Sequence, residues 1–159
     1  MKRTLSLLLA VVLALSSFAC FTVFGSAEAA PSQEIELKNI SLKTSVHLLF
    51  AISAEGYNGL DGLKLVVTKG EKTSEYDPAG YTTIGDKSYI VFRYDGLSAA
   101  EMETVVSVCV KYNGVSGTAI NASVKSFAEE YKAANGQHTA LVDAMLKYGA
   151  SVKALTDAK

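Results

Sequence analysis

Val46-His-Leu-Leu-Phe-Ala-Ile-Ser53 puts Val46, Leu48, Phe50 and Ile52 on one parity and His47, Leu49, Ala51 and Ser53 on the other. Successive side chains of a pleated strand point to opposite faces, so alternation with period two predicts a strand rather than a helix. The same signature recurs outward from this run. Ile90, Phe92 and Tyr94 alternate with Tyr89, Val91 and Arg93; Val106, Val108, Val110 and Tyr112 repeat it; Leu63, Leu65 and Val67 give a shorter version. Upstream the parity switches from Ile35 and Leu37 to Ile40 and Leu42, which predicts a bulge near Lys38-Asn39.

The connecting residues agree with the strands. Asn113-Gly114 tolerates positive φ at both centres of a type I′ hairpin turn, and Gly85-Asp86 suits type II′. Lys69-Gly70 is expected to turn a third hairpin between residues 63–68 and 73–77. About eight short strands over residues 34–121, joined by such turns, predict a mainly β (α+β) domain, an antiparallel β-sandwich or open barrel.

After Asn121 the period changes. Val124, Phe127, Ala128 and Tyr131 follow helical spacing over about residues 123–135, with Ser126 and Glu129 as a capping box and Asn135-Gly136 as the stop. A second amphipathic helix is expected over 139–157, with Leu141, Met145, Tyr148, Val152 and Leu155 along one stripe. Gly149 lies inside it at about 1 kcal/mol relative to alanine, which a close backbone approach to the sheet would compensate. Both helices are expected to pack on the sheets.

The other end of the chain reads as an export signal. Lys2 and Arg3 precede an apolar stretch from Leu5 to Phe24, and Ala27-Glu28-Ala29 supplies the small-x-small spacing of a cleavage site. Cleavage after Ala29 leaves residues 30–159 as a single secreted or cell-surface domain, with no membrane contact once the signal is removed. Two rivals stay open. The apolar run approaches the length of a membrane anchor, and Cys20 could be lipidated, although Ser17-Phe18-Ala19 lacks the aliphatic residue normal before such a cysteine.

Removing residues 1–29 takes away Lys2, Arg3 and Glu28 and leaves 13 basic and 15 acidic side chains. With so small a net charge and no basic stripe, a nucleic-acid partner has no electrostatic support. Of the two cysteines only Cys109 remains, so no intramolecular disulfide can form. Its place in Val106-Ser-Val-Cys-Val110 reads as a small buried hydrophobe.

The ending Ala140-Leu-Val-Asp-Ala-Met-Leu-Lys-Tyr-Gly-Ala-Ser-Val-Lys153 resembles the "A-L-L-N-Y-G-A-A-A-Q" helix that closes an uncharacterised accessory module of secreted and cell-surface proteins of Clostridia-like Firmicutes. Leu42 to Ile52 resembles that module's early apolar strand, Ala100-Glu-Met102 its short acidic element, and Ser123-Val-Lys-Ser-Phe-Ala128 its "S-V-x-x-Y-A" helix start. Ser151, Lys153 and Phe127 depart from the pattern. The resemblance implies an accessory role beside glycan-degrading or adhesive regions and brings no catalytic residues with it.

The residues carry little chemistry. His47 reads as a strand-surface residue and His138 as the start of a helix, with no metal-ligand spacing between them. No G-x-S-x-G elbow occurs, and Glu101 with Glu103 and Glu129 with Glu130 read as solvated carboxylates. In Gly56-Tyr-Asn-Gly-Leu-Asp-Gly62, Asn58 and Asp61 are weak calcium candidates in what is otherwise a glycine-rich turn. No resident metal, cofactor or enzymatic activity is expected.

Two functions follow. One is a non-catalytic module that meets another extracellular protein or envelope component, or supports structure, through a sheet edge or loops. The other is a carbohydrate-binding module in which Tyr57, Tyr76 and Tyr81, placed in loops or turn-proximal strands, serve as stacking platforms for a glycan. Tyr94, Tyr112, Tyr131 and Tyr148 read as core.

Overall fold

The computed structural model describes residues 31–42, 46–134 and 138–158, all within the unit Pro31–Lys159. The export signal over residues 1–29, including Cys20, and the helix stop at Asn135-Gly136 lie outside the described residues.

Among the described residues there are nine strands: β1 (Leu37–Leu42), β2 (Val46–Ser53), β3 (Leu63–Lys69), β4 (Lys72–Tyr76), β5 (Pro78–Ile84), β6 (Lys87–Leu97), β7 (Val106–Tyr112), β8 (Val115–Ser116) and β9 (Ile120–Ala122). They form two antiparallel sheets. One has the order β1-β2-β6-β5; the other runs β4-β3-β7-β8, with β9 also paired to β7. Leu48, Phe50, Ile52, Ile90 and Phe92 of the first sheet share a buried core with Leu63, Leu65, Val67, Val106, Val108 and Val110 of the second. These are the parities singled out by period two, and two inner faces meeting in one core make the fold a sandwich.

The turns follow backbone chemistry. Asn113 and Gly114 both take positive φ (48° and 87°), as type I′ requires, and Gly85 takes φ 60° between Ile84 and Lys87. The third hairpin turns at Gly70-Glu71 instead of Lys69-Gly70, because Lys69 pairs with Lys72 and the positive φ falls on Gly70.

β1 carries no bulge. Its register with β2 is continuous from Leu37↔Ala51 to Leu42↔Val46. Lys38 therefore takes the parity of Phe50 and Ile40 that of Leu48. The lysine tolerates this inward register by laying its stem beside Phe127, its Nζ 5.4 Å from the ring centroid and 3.0 Å from Glu130. The ladder shifts instead between Val46 and Leu48 against β6, and between Pro78 and Gly80 against β6.

Helix α1 (Val124–Ala133) is capped by Ser123, whose hydroxyl accepts from the Ser126 N–H at 2.9 Å while Ser126 Oγ accepts from the Ser123 N–H at 3.0 Å. The box thus lies one turn earlier than Ser126 with Glu129. Val124, Phe127 and Ala128 are buried, and Phe127 packs edge-on to Phe50 at 5.9 Å. Tyr131, expected in the core, is exposed.

Helix α2 (Thr139–Asp157) docks on a 3-10 turn, Ala99–Glu101, that follows β6. Its buried position is Gly149. The expected stripe is split: Met145 and Val152 are half-buried, whereas Leu141, Tyr148 and Leu155 are 63%, 61% and 70% exposed. Because the glycine is pressed against the turn, the contact face is rotated about 100° from Tyr148. Among the described residues no helix is long and apolar enough to cross a membrane.

Candidate functional site

The three tyrosines proposed as a platform occupy three different surroundings. Tyr57 is half-buried in the loop after β2, edge-on to Tyr112 at 5.1 Å, and its hydroxyl donates to the Ser32 carbonyl at 2.9 Å. Burial, with the neighbouring Tyr112 hydroxyl, pushes its pKa up to about 12. Tyr76 ends β4 and packs edge-on to buried Tyr94 at 5.4 Å. Tyr81 on β5 is 54% exposed, so it is the member of the trio with a ring open to solvent.

The loop Gly56–Gly62 is built around glycine. Gly56, Gly59 and Gly62 take positive φ, and a Cβ added at Gly62 would run into the Asn113 side chain. The Gly62 carbonyl accepts from the Asn113 N–H at 3.0 Å, which locks this loop to the β7–β8 turn. Asn58 and Asp61 are both exposed. Among the described residues no group of three or more His, Cys, Asp or Glu side chains is placed to hold a metal ion.

The carboxylates divide among separate lysines. Glu101 accepts from Ser98 N–H and Oγ at 3.0 and 2.9 Å and from Lys69 at 3.0 Å. The Ser98 N–H, the Lys69 ammonium and the Ser98 hydroxyl hold its carboxyl below the usual range. Lys69 also donates to the Gly96 carbonyl at 2.9 Å, so this trio ties β3 to the end of β6 and the turn that carries α2. Glu103 pairs with Lys125 at 2.8 Å, and Glu130 with Lys38. Glu129 is exposed.

His47 is not the surface residue its strand parity suggested. It is buried, with Nδ1 2.5 Å from Asp95, whose other oxygen meets Arg93 at 2.9 Å. Asp95 lies 48 positions away on the neighbouring strand, and nothing local in sequence announces that meeting. His138 is the exposed N-terminal cap position of α2. Cys109 is a free thiol but only half-buried, because it takes the outward parity of β7 opposite Val66.

Apart from these structural contacts, the sandwich has one edge that stands out. Of the four sheet edges, β4 carries Lys72 and Glu75, β1 carries Lys38 and is packed by α1, and the β8/β9 side is made of strands of 2 and 3 residues. Such charges, coverings and short strands are the usual protections of an edge. β5, Pro78-Ala-Gly-Tyr-Thr-Thr-Ile84, has no charge at all. Pro78 and the ladder shift beside it blunt its first end, but Tyr81, Thr82, Thr83 and Ile84 are all exposed. On the outer face beside this edge lies a groove of about 420 Å³ whose walls include Leu49, Ala51, Ala79, Ile84 and Val91.

Fold and surface together define a two-sheet α+β sandwich with two C-terminal helices and an unprotected edge strand. In comparison with known proteins, the chain matches no protein-family model, no curated protein and no solved structure.

Proposed function

We propose that the chain is an exported, non-catalytic module that engages another extracellular protein or envelope component, with β5 as its contact element. The observation that supports this reading most is the uncharged edge of β5, with Tyr81 and Ile84 54% and 57% exposed. An open edge offers a row of unpaired N–H and C=O groups, and strand addition supplies affinity through the main chain and selectivity through alternate side chains. An accessory role of the kind implied by the resemblance of Ala140–Lys153 fits the same picture.

The carbohydrate alternative rests on Tyr57, Tyr76 and Tyr81 acting together. Half burial of the first two in edge-on pairs leaves Tyr81 as the open ring. The deciding experiment compares binding of the processed protein to a glycan array, to envelope polysaccharide and to protease-treated and untreated envelopes. Binding that protease treatment removes, and that Tyr81→Lys weakens, is the expected result. Saturable glycan binding lost in Tyr81→Ala but indifferent to protease would overturn it in favour of the carbohydrate module.

A further inference from the structure

The edge of β5 is self-complementary, and we propose that its partner is a second copy of this chain, the two β5 strands pairing antiparallel about a two-fold axis at Thr82. This proposal rests on the reading of β5 as the contact element and names the extracellular protein it engages as another molecule of the same chain, displayed on the envelope.

The β5–β6 hairpin decides which backbone groups of β5 are free. β5 and β6 are joined by the two-residue turn Gly85-Asp86, with Ile84 opposite Lys87, Thr83 opposite Ser88, Thr82 opposite Tyr89 and Tyr81 opposite Ile90. In a hairpin closed this way the flanking pair, Ile84 with Lys87, exchanges both backbone hydrogen bonds, and bonded pairs then alternate along the ladder. Ile84 and Thr82 therefore spend their backbone groups on β6. Those of Tyr81 and Thr83 point at the free edge.

Tyr81 and Thr83 lie symmetrically on either side of Thr82. Reversing the same strand against itself sets Tyr81 opposite Thr83 of the second copy and Thr83 opposite its Tyr81. Each of these pairs can exchange both backbone bonds, and Thr82 faces its own copy in the closely spaced non-bonded pair, as the alternation demands. This register keeps every side chain on its own face, because paired residues share parity.

The side chains fit the same register. It sets Ile84 of one copy opposite Gly80 of the other. Ile84 is exposed, and a Cβ built on Gly80 would have no heavy atom within 4 Å, so the isoleucine meets open space at the mouth of the groove lined by Ala79, Leu49 and Val91. The absence of charge from Pro78 to Ile84 removes like-charge repulsion between identical strands. The outcome joins the two four-stranded sheets edge to edge.

The test uses the full chain expressed in an exporting host and purified in processed form. Sedimentation is followed with concentration up to about 1 mM, the range in which small interfaces associate. The wild type is expected to dimerise. Thr83→Pro, which removes an outward N–H at an edge that tolerates proline, and Tyr81→Lys, which sets charge on the edge, should each weaken the dimer about tenfold or more. Unchanged thermal midpoints show that the variants still fold, and Tyr81→Lys stands in if proline does not. In a Cys109→Ser background, Thr82→Cys should cross-link to its copy faster than Thr83→Cys. A monomer at every concentration, a dimer indifferent to both edge variants, or faster cross-linking at position 83 overturns the proposal. Binding of the same variants to envelopes separates the two readings. If the chain is monomeric but edge-dependent binding persists, the edge belongs to a foreign strand; if both are lost, the interaction reading falls as well.

Discussion

Gly149 and Met102 touch so closely that a Cβ on the glycine would meet the methionine Sδ at 2.6 Å and the Ala99 carbonyl oxygen at 3.0 Å. This contact seats α2 on the 3-10 turn, and Met102 is itself buried in the core. Gly149→Ala therefore opposes two effects. Alanine gains about 1 kcal/mol of helix propensity, whereas overpacking against a buried side chain and a carbonyl costs about 1–3 kcal/mol. The expected result is a net loss in urea unfolding. A more stable variant would show that the helix does not approach this closely.

The exposed stripe of α2 should be nearly silent. Leu141→Ala and Leu155→Ala are expected to change stability by no more than about 0.5 kcal/mol, while Phe50→Ala and Phe92→Ala, fully buried between the sheets, should lose about 3–5 kcal/mol. Half-buried Met145 and Leu146 should fall between. Chemical denaturation of the series checks the ranking, and a large loss at Leu141 would place that face against something.

Glu101 predicts an acid limb. Its folded pKa is depressed by the Ser98 N–H, by Lys69 and by the Ser98 hydroxyl, so its stabilising contribution is complete above the unfolded value of about 4.3 and is lost as pH falls through the lower folded value. Glu101→Gln should lower stability at pH 7 and flatten the decline of stability below about pH 4.3. Equal losses at pH 7 and pH 2 would show that the charge plays no part.

Tyr57 predicts the opposite limb. With a folded pKa of about 12 against about 10 unfolded, the neutral phenol is favoured in the folded state; its contribution is intact below pH 10 and lost as pH rises through 12. Ultraviolet titration should show Tyr57 ionising late, together with Tyr94, whose pKa burial also raises. Tyr57→Phe should remove one late-ionising phenol and cost about 1 kcal/mol through the lost hydrogen bond to Ser32.

Export is checked by mass. Protein recovered from the medium or cell surface should begin at Ala30, following cleavage after Ala27-Glu28-Ala29. Retention of residues 1–29 in membranes would support an anchor, and a diacylglycerol adduct on Cys20 a lipoprotein.

Short-range backbone chemistry made much of this fold legible in sequence. Alternation along Val46–Ser53 and Val106–Tyr112 identified the inward residues because the pleat repeats every two positions wherever a strand runs. Asn113-Gly114 announced its turn because few residues accept positive φ in succession. Helical spacing located α1 and α2 for the same kind of local reason.

What tertiary structure alone decided is which elements meet. Lys38 could take an inward register without a bulge only because Phe127 and Glu130, some ninety positions later, arrive beside it. The buried side of α2 was set by Met102 and Ala99, not by the strongest apolar stripe, and Asp95 turned a strand-surface histidine into a buried one. Tyr57 and Tyr76 were drawn against Tyr112 and Tyr94, while Tyr81 stayed open because β5 is last in its sheet. Strand order is a matter of long-range pairing and loop closure, and a single strand's residues carry no mark of which neighbour, if any, will fill its second edge.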